Sequence, residues 1–400
     1  MNATAPTVSV VVPAYNQAHY LPEALQSILA QSYCDYEIIV VDDASTDATK
    51  DVMQQYGDNV RYVYQENQGL AGARNTGIRL ARGAYVALLD SDDVWLPCFL
   101  QEMMAAVNRD AAATAYYCRA QCMDAEGLLL PQILSVQLPA PDQLYQALLR
   151  ANFIVPSTVI LHRSSATTAG LFDPNFRRLQ DWEFWLRLLR AGHRFIGVDQ
   201  CLVHYRLHDS SLSTDPTGGA KAALALAEKH FGPDHGEPRD WPADKQRIYG
   251  GIYSACALTV LVRNQDWETC TKYLRKAFRV DPTLVKSLDL FYELALGTQP
   301  LGRRGSRDDL YLNENVNHIE HILTEIFHSP TDPDLFALRR TATNTVNWAL
   351  SLVAYNTGHY ALTRRFLYKT FCGDSTRHRI TQAAQILAKS YIKQLVAGLP

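Results

Sequence analysis

Two acidic pairs in the first hundred residues are the side chains most able to do chemistry. Asp90-Ser91-Asp92 follows the apolar run Ala84–Leu89. Two carboxylates two apart on an extended segment point the same way, so both can address one hard cation. Mg²⁺ or Mn²⁺ prefers oxygen ligands and combines one or two carboxylates with phosphate oxygens of a substrate. Such a cation would neutralise a diphosphate and stabilise it as a leaving group. Asp42-Asp43 ends a second apolar run, Glu37–Val41. One of that pair can accept a hydrogen bond from a base N–H while the other holds the loop through backbone amides or caps the next helix. Between the two pairs lies Gly69-Leu70-Ala71-Gly72-Ala73-Arg74-Asn75-Thr76-Gly77. Its small residues let a helix start close to a ligand, and Arg74 is a candidate for pairing with a diphosphate or with a structural carboxylate. The glycine spacing is not that of the dinucleotide fingerprint, and no GxxxxGK[ST] phosphate loop is present, which removes most support from dehydrogenase and P-loop readings.

The elements that must position these groups alternate. Val8–Val12 is a short, continuous apolar run, as expected of a strand covered on both faces. Tyr20–Gln31 carries Leu21, Leu25, Ile28 and Leu29 at helical spacing. Glu37–Val41 is a second strand, Ser45-Thr46-Asp47 offers capping chemistry, and Ala48–Tyr56 is a second helix. Val60–Tyr64 predicts a third strand, Gly72–Ala81 a third helix and Ala84–Leu89 a fourth strand. This alternation predicts an α/β fold with a doubly wound, mostly parallel sheet. Ligands in such sheets sit beyond the carboxyl ends of the strands, near a topological switch point. Pro13-Ala14-Tyr15-Asn16, Asp42-Asp43 and Asp90-Ser91-Asp92 all fall at those ends.

The chain has 400 residues, 47% of them hydrophobic and 20% charged. That composition fits soluble globular structure in more than one domain. No apolar run is long enough to span a membrane, and Met1–Thr7 does not read as a secretory signal, so a cytoplasmic location is expected. Eight cysteines without a CxxC argue against a disulfide scaffold or zinc ribbon, and Cys118 and Cys122 read as buried thiols that a helix would place on one face. Residues 1–245 carry 19 Lys+Arg against 28 Asp+Glu, and 246–400 carry 19 against 13. The basic side chains are dispersed, which excludes a nucleic-acid-binding charge density. A Pro/Gly-rich stretch over 215–245, enclosing a helix at Ala220–His230, reads as a linker. Beyond it the pattern is helical. The stretches from Ala257 and from Leu350 resemble each other, each reading as helix, tight turn, aromatic (Trp267 or Tyr360) and second helix. Those are tetratricopeptide-like hairpins without the regular repeat of an array. The expected domains are therefore 1–214, a linker at 215–245, and an α-helical domain at 246–400.

The blocks VSVVVPAYNQAHYLPEALQSILAQSY, EIIVVDDASTDAT and NQGLAGARNTGIRLARGAYVALLDSDDVW together resemble the family 2 glycosyltransferases of the GT-A fold, closely over 7–100 and more loosely to about 213. The resemblance implies that Pro13 and Tyr15 line the nucleotide pocket and that Asp43 reads a uracil-type base. It implies that Asp92 ligates the metal, with Asp90 nearer the ribose and also in the metal pair. RRLQDWEFWLRL matches the later acidic motif, placing Asp181 at the catalytic-base position, with Gln180 where many members carry another acid. HYRLHDSSLS resembles the block that closes the catalytic domain, with Arg206 and His208 where members contact diphosphate or metal. The implied activity is inverting, Mg²⁺- or Mn²⁺-dependent transfer of a sugar from a nucleoside diphosphate, UDP foremost, to a saccharide, lipid-linked or protein-linked hydroxyl in bacterial polysaccharide or glycoconjugate assembly. A positioned carboxylate that takes the acceptor proton speeds such a step by ~10²–10⁴. An acid at a helix start also suits the helix dipole, so Asp181 has a structural reading too. Trp95, Trp182 and Trp185 read as sugar-stacking or core residues. Two rivals stay open: a nucleotidyltransferase, which would need a basic phosphate loop near the N-terminus, and a non-catalytic nucleotide-sugar-binding scaffold. The helical half is a candidate surface for a protein partner or for peripheral membrane attachment.

Overall fold

The computed structural model of the chain describes residues 5–135, 138–208, 216–299, 304–307, 310–328, 332–373 and 386. The chain divides into two compact units, 1–226 and 227–400. The expected domain boundary at 214/215 and the Asp209–Ser213 part of the closing block lie outside the described residues.

The first unit opens with β1 (Val8–Ala14), α1 (Leu21–Leu29), β2 (Tyr36–Asp43), α2 (Thr49–Met53), β3 (Arg61–Gln65), α3 (Gly69–Leu80) and β4 (Tyr85–Leu88). All seven residues of β1 are buried, as its unbroken apolar pattern requires of a strand with both faces covered. β1 lies between β2 and β4, in parallel register with both, so that Val10 stands between Ile38 and Ala87. The chain moves outward through β2 and β3, then returns to the other side of β1. The crevice at the ends of β1 and β4 is therefore a switch point, flanked by Asp43 and Asp90. Pairing of β1 with β4 stops at Val11 and Leu88, and Pro13, which has no N–H to donate, is partnered only by Val41 of β2.

β5 (Val94–Trp95), α4 (Phe99–Arg109), β6 (Ala115–Met123), β7 (Leu129–Leu134), α5 (Leu144–Leu148), β8 (Val159–His162), α6 (Arg163–Thr168), α7 (Gln180–Arg190) and β9 (Phe195–Arg206) complete the unit. The nine strands run β3-β2-β1-β4-β8-β6-β9-β5, with β7 on β6. The parallel character is confined to β1–β4 and the β6–β9 pair; β8, β7 and β5 run antiparallel to their neighbours. The hairpin turn between β6 and β7 is far too short for the crossover that parallel strands need. Cys118 and Cys122 lie on strand β6 and not on a helix; an i,i+4 pair shares a face on a strand as well, and both are buried. All three tryptophans are core residues whose indole N–H groups satisfy buried carbonyls. Trp95 donates to Ser157 O at 2.7 Å, Trp182 to Leu148 O at 2.7 Å and Trp185 to Ile154 O at 3.1 Å.

α8 (Pro216–Phe231) runs across the division between the units. The second unit is built from α9 (Ala243–Asn264), α10 (Trp267–Val280), α11 (Leu288–Leu296), α12 (Leu312–Phe327), α13 (Pro333–Asn356) and α14 (Tyr360–Gly373). The two similar stretches are the hairpins α9/α10 and α13/α14, and Trp267 and Tyr360 are the first residues of their second helices. Gln265, at φ 55°, ends α9, and the Asp266 carboxylate then caps α10 by accepting from Thr269 N at 2.9 Å. Within the Pro/Gly-rich stretch Trp241 is buried, its Nε1 donates to His235 O at 3.0 Å, and the Lys245 ammonium lies 4.2 Å from its ring centre. A cavity of about 410 Å³ among α12, α13 and α14, lined by Glu320, Asn347, Leu350, Phe366 and Lys369, contains none of the residues singled out for chemistry. Among the described residues no helix is long and apolar enough to cross a membrane.

α3 packs onto the sheet through Gly77. A Cβ there would lie 2.2 Å from Cγ1 of the fully buried Val11. Gly77→Ala should therefore force β1 and α3 apart and destabilise the protein by about 1–3 kcal/mol. The denaturant midpoint reads this directly, and an unchanged midpoint would show that the helix has slack at that contact.

Candidate active site

At the end of β2 the two adjacent aspartates are in different environments. Asp42 Oδ1 accepts from Ser45 N at 2.8 Å and its Oδ2 from the Tyr62 hydroxyl at 2.6 Å, so both oxygens hold the protein. Asp43 uses only Oδ1, which accepts from Gln65 Nε2 at 2.7 Å and Gln68 N at 2.8 Å. Its Oδ2 has no hydrogen-bond partner among the described residues. The β1–α1 loop is tied to the β2–α2 loop. Asn16 Oδ1 accepts from Thr46 N at 2.8 Å, Ser45 Oγ from Asn16 N at 2.9 Å and Asp47 Oδ2 from Ala18 N at 3.0 Å. Asn16 and Ala44 both take positive φ (54° and 66°) to make these turns. Within this frame Pro13 is buried and Tyr15 is half exposed.

The acidic turn after β4 is braced from two sides. Arg74, buried on α3, places Nη2 2.5 Å from Asp90 Oδ1, and its remaining Nε and Nη1 have no hydrogen-bond partner. Of the two readings for Arg74, the geometry is that of a structural carboxylate pair. On the other side Asp93 is buried, with Oδ2 accepting from the Ser157 hydroxyl at 2.5 Å and Oδ1 from Arg206 N at 2.9 Å. Ser157 Oγ in turn accepts from Asp90 N at 3.0 Å. Arg206, at the end of β9, is engaged by groups of the protein. Its Nε donates to Asp92 O at 2.8 Å, Nη1 to Ala125 O at 3.1 Å, and Nη2 pairs with Glu23 Oε2 at 2.5 Å. The guanidinium also lies 4.8 Å from the centre of the Tyr20 ring. Arg206 is thus a brace for the backbone of the acidic turn.

His208 Nε2 is 2.9 Å from Asp92 Oδ2, and its ring lies 5.0 Å from that of Tyr20. Burial pushes the Asp90 carboxyl above the usual carboxylate range; Arg74 opposes the shift, and Asp92 and Asp181 add to it. Burial raises Asp93 strongly as well, reinforced by Asp92 and Asp90. One carboxylate and one imidazole beside acids short of countercharge form a donor set that fits a divalent cation. Among the described residues no third His, Cys, Asp or Glu completes a cage, which leaves coordination positions that substrate oxygens or water can fill.

Asp181 is the second residue of α7, a helix that starts directly after Leu179, which holds a left-handed backbone at φ 57°. That turn aims the first helical residues inward. Glu183, two residues on, is fully buried and its Oε2 is 2.9 Å from Arg187 Nη2; Arg187 also donates to Leu171 O at 2.5 Å. Glu183 therefore anchors the helix. Asp181 Oδ2 instead accepts from Asn152 Nδ2 at 2.7 Å. Burial raises the Asp181 carboxyl above its ordinary range; the Arg74 charge, Asn152 and the backbone N–H groups at the helix start oppose that shift. Electrostatic coupling links Asp181, Arg74, Asp90 and Asp92 into one group at the rim of β4. Asp43 lies two strands away, roughly 10 Å at the usual strand spacing.

Asn152, Ser157 and Glu23 were not legible as site residues. Asn152 and Ser157 sit in aperiodic chain between 95 and 180, and Glu23 reads as an ordinary first-turn acid of α1. Asp93 was visible only as the third acid of the turn, and its burial was not.

Residues 9–167 match the model of the family described as glycosyl transferase family 2. TuaG of Bacillus subtilis (strain 168), named as a teichuronic acid biosynthesis glycosyltransferase, is 37% identical over 224 residues, which is 54% of this chain and 85% of TuaG. The chondroitin synthase of Escherichia coli is 30% identical over 211 residues, 52% of this chain but only 30% of the synthase. Among solved structures, S. aureus TarS 1–349 is similar at 17% identity and a TM-score of 0.48, covering 89% of this chain and 91% of that one. The mannosyltransferase PcManGT from Pyrobaculum calidifontis is similar at 18% identity and a TM-score of 0.47, covering 86% and 88%. By the extent of its match to TuaG and by the family model over its first unit, the chain belongs to glycosyl transferase family 2.

Proposed function

We propose that this enzyme moves a sugar from a nucleoside diphosphate, with uracil as the base, to an acceptor hydroxyl with inversion at the anomeric carbon. The observation that carries the reading is the arrangement of Asp181, Arg74, Asp90 and Asp92 as one coupled group at the switch point. The unpartnered Oδ2 of Asp43 is an acceptor suited to the N3–H of uracil, and half-exposed Tyr15 offers a ring beside it. Two strand spacings from Asp43 to the acidic turn suit the reach from a base to its diphosphate. Asp90, held by Arg74, would stand nearer the ribose. Asp92 and His208 would hold Mg²⁺ or Mn²⁺. Bound there, the ion supplies positive charge to the departing diphosphate.

Asp181 acts as general base, taking the acceptor proton as the new bond forms. Desolvation makes its ionised form a stronger base than a free carboxylate, and Arg74 keeps that form populated. A single base on the face opposite the leaving group gives back-side displacement and hence inversion. The named role of TuaG supports a place in the assembly of a bacterial surface polysaccharide, with a saccharide, a lipid-linked or a protein-linked hydroxyl as acceptor.

Asp181→Asn should lower kcat by ~10²–10⁴ while leaving UDP-sugar binding intact, and full turnover in that variant would remove the base assignment. Asp92→Ala should abolish both Mn²⁺-stimulated turnover and the extra thermal stabilisation that UDP gains from Mn²⁺. A rate indifferent to chelator would remove the metal from the scheme. Because the Asp181 carboxyl is raised, kcat/KM should be lost as pH falls through a pKa above the ordinary carboxylate range. A limb that follows an unperturbed carboxylate would contradict the site's electrostatics.

A further inference from the structure

Asn152 belongs to the aperiodic chain between α5 and the Pro156–Thr158 turn. Its Oδ1 accepts from Ile154 N at 3.2 Å, so the opposite edge of the amide must carry the NH₂ group, and Nδ2 donates to Asp181 Oδ2 at 2.7 Å. Two side chains of α7 hold the same segment: Trp182 Nε1 donates to Leu148 O at 2.7 Å and Trp185 Nε1 to Ile154 O at 3.1 Å. Asn152 and the residues on either side of it are thus tied to α7 at three points, through Asp181 and Trp182 in its first turn and Trp185 one turn on. A carboxylate at a helix start has a free side-chain torsion, and here one of its two oxygens is held by a donor whose own orientation is set by the backbone.

We infer that Asn152 is a positioning residue for the transfer reaction, holding one Asp181 oxygen so that the carboxylate stays ionised and turned toward the acceptor. The inference rests on the reading of Asp181 as the base. The other groups that bear on Asp181 come from every side. Arg74 on α3 and the backbone N–H groups of Asp181 and Trp182 favour the ionised form, Asp90 at the end of β4 disfavours it, and Glu183 on α7 is neutralised by Arg187. Removing the Asn152 donor leaves burial less opposed.

The test uses the full chain carrying Asn152→Ala, Asn152→Leu or Asp181→Asn. Asn152→Leu keeps nearly the same size and removes the donor without adding charge, so it answers even where the alanine variant loses packing. A hydrogen bond to a charged group is worth enough to move a pKa by about one unit. Both Asn152 variants should therefore shift the acid limb of kcat/KM upward by about one pH unit. On that limb they should be about tenfold slower, while KM for the nucleotide sugar changes less than twofold. An infrared difference titration against Asp181→Asn, run without substrate, should show the same upward shift of the Asp181 carboxyl. Coincident titrations of wild type and Asn152→Leu would overturn the inference. Full activity of Asp181→Asn would instead overturn the base assignment beneath it, whatever the Asn152 variants do.

Discussion

Like-charge repulsion at the rim of β4 is the constraint that the rest of the first unit answers. Asp90, Asp92 and Asp93 fall within four consecutive positions, and Asp181 is brought close enough to act on Asp90. Carboxylates gathered this way in partly desolvated surroundings would take up protons or move apart unless fixed positive charge and hydrogen-bond donors hold them. Two buried arginines do so by different means. Arg74 meets a carboxylate directly, and Arg206 grips the main chain of the turn through Asp92 O while its own charge is met by Glu23. Breaking a buried pair of the first kind typically costs about 3–5 kcal/mol, because the partner is left charged and alone. The fold thus fixes the acids without neutralising them all.

Neighbouring acids with similar sequence surroundings reach different tasks for simple geometric reasons. Asp42 and Asp43 point to opposite sides of β2, so one meets Tyr62 and the turn amides while the other keeps an oxygen open. Asp181 and Glu183 differ by two helical positions, about 200°, and only Glu183 turns inward to Arg187. The left-handed Leu179 sets where that rotation starts.

Much of the fold was legible along the chain. The apolar runs at Val8–Val12, Glu37–Val41 and Ala84–Leu89 needed two covered faces, and a parallel sheet is the arrangement that provides them. The paired hairpins whose second helices begin at Trp267 and Tyr360 could be read from turn chemistry between helical periods. The strands from β5 onward were not legible, because β5 has two residues and β7 has exposed leucines. The Pro/Gly-rich stretch read as a linker because its packing depends on Trp241 meeting His235 and Lys245, contacts without a periodic signature.

The sequence by itself determined the order of strands and helices around β1 and the presence of acids at their ends, since periodicity and strand termini are local properties of the chain. Only the tertiary structure decided which acid does what. Arg74 meets Asp90 across 16 positions, Ser157 meets Asp93 across 64, Arg206 meets Asp92 across 114, and Asn152 meets Asp181 across 29. Pairings at such separations arise from how the sheet is ordered and how α7 is turned, and no pattern within a local window of residues encodes them.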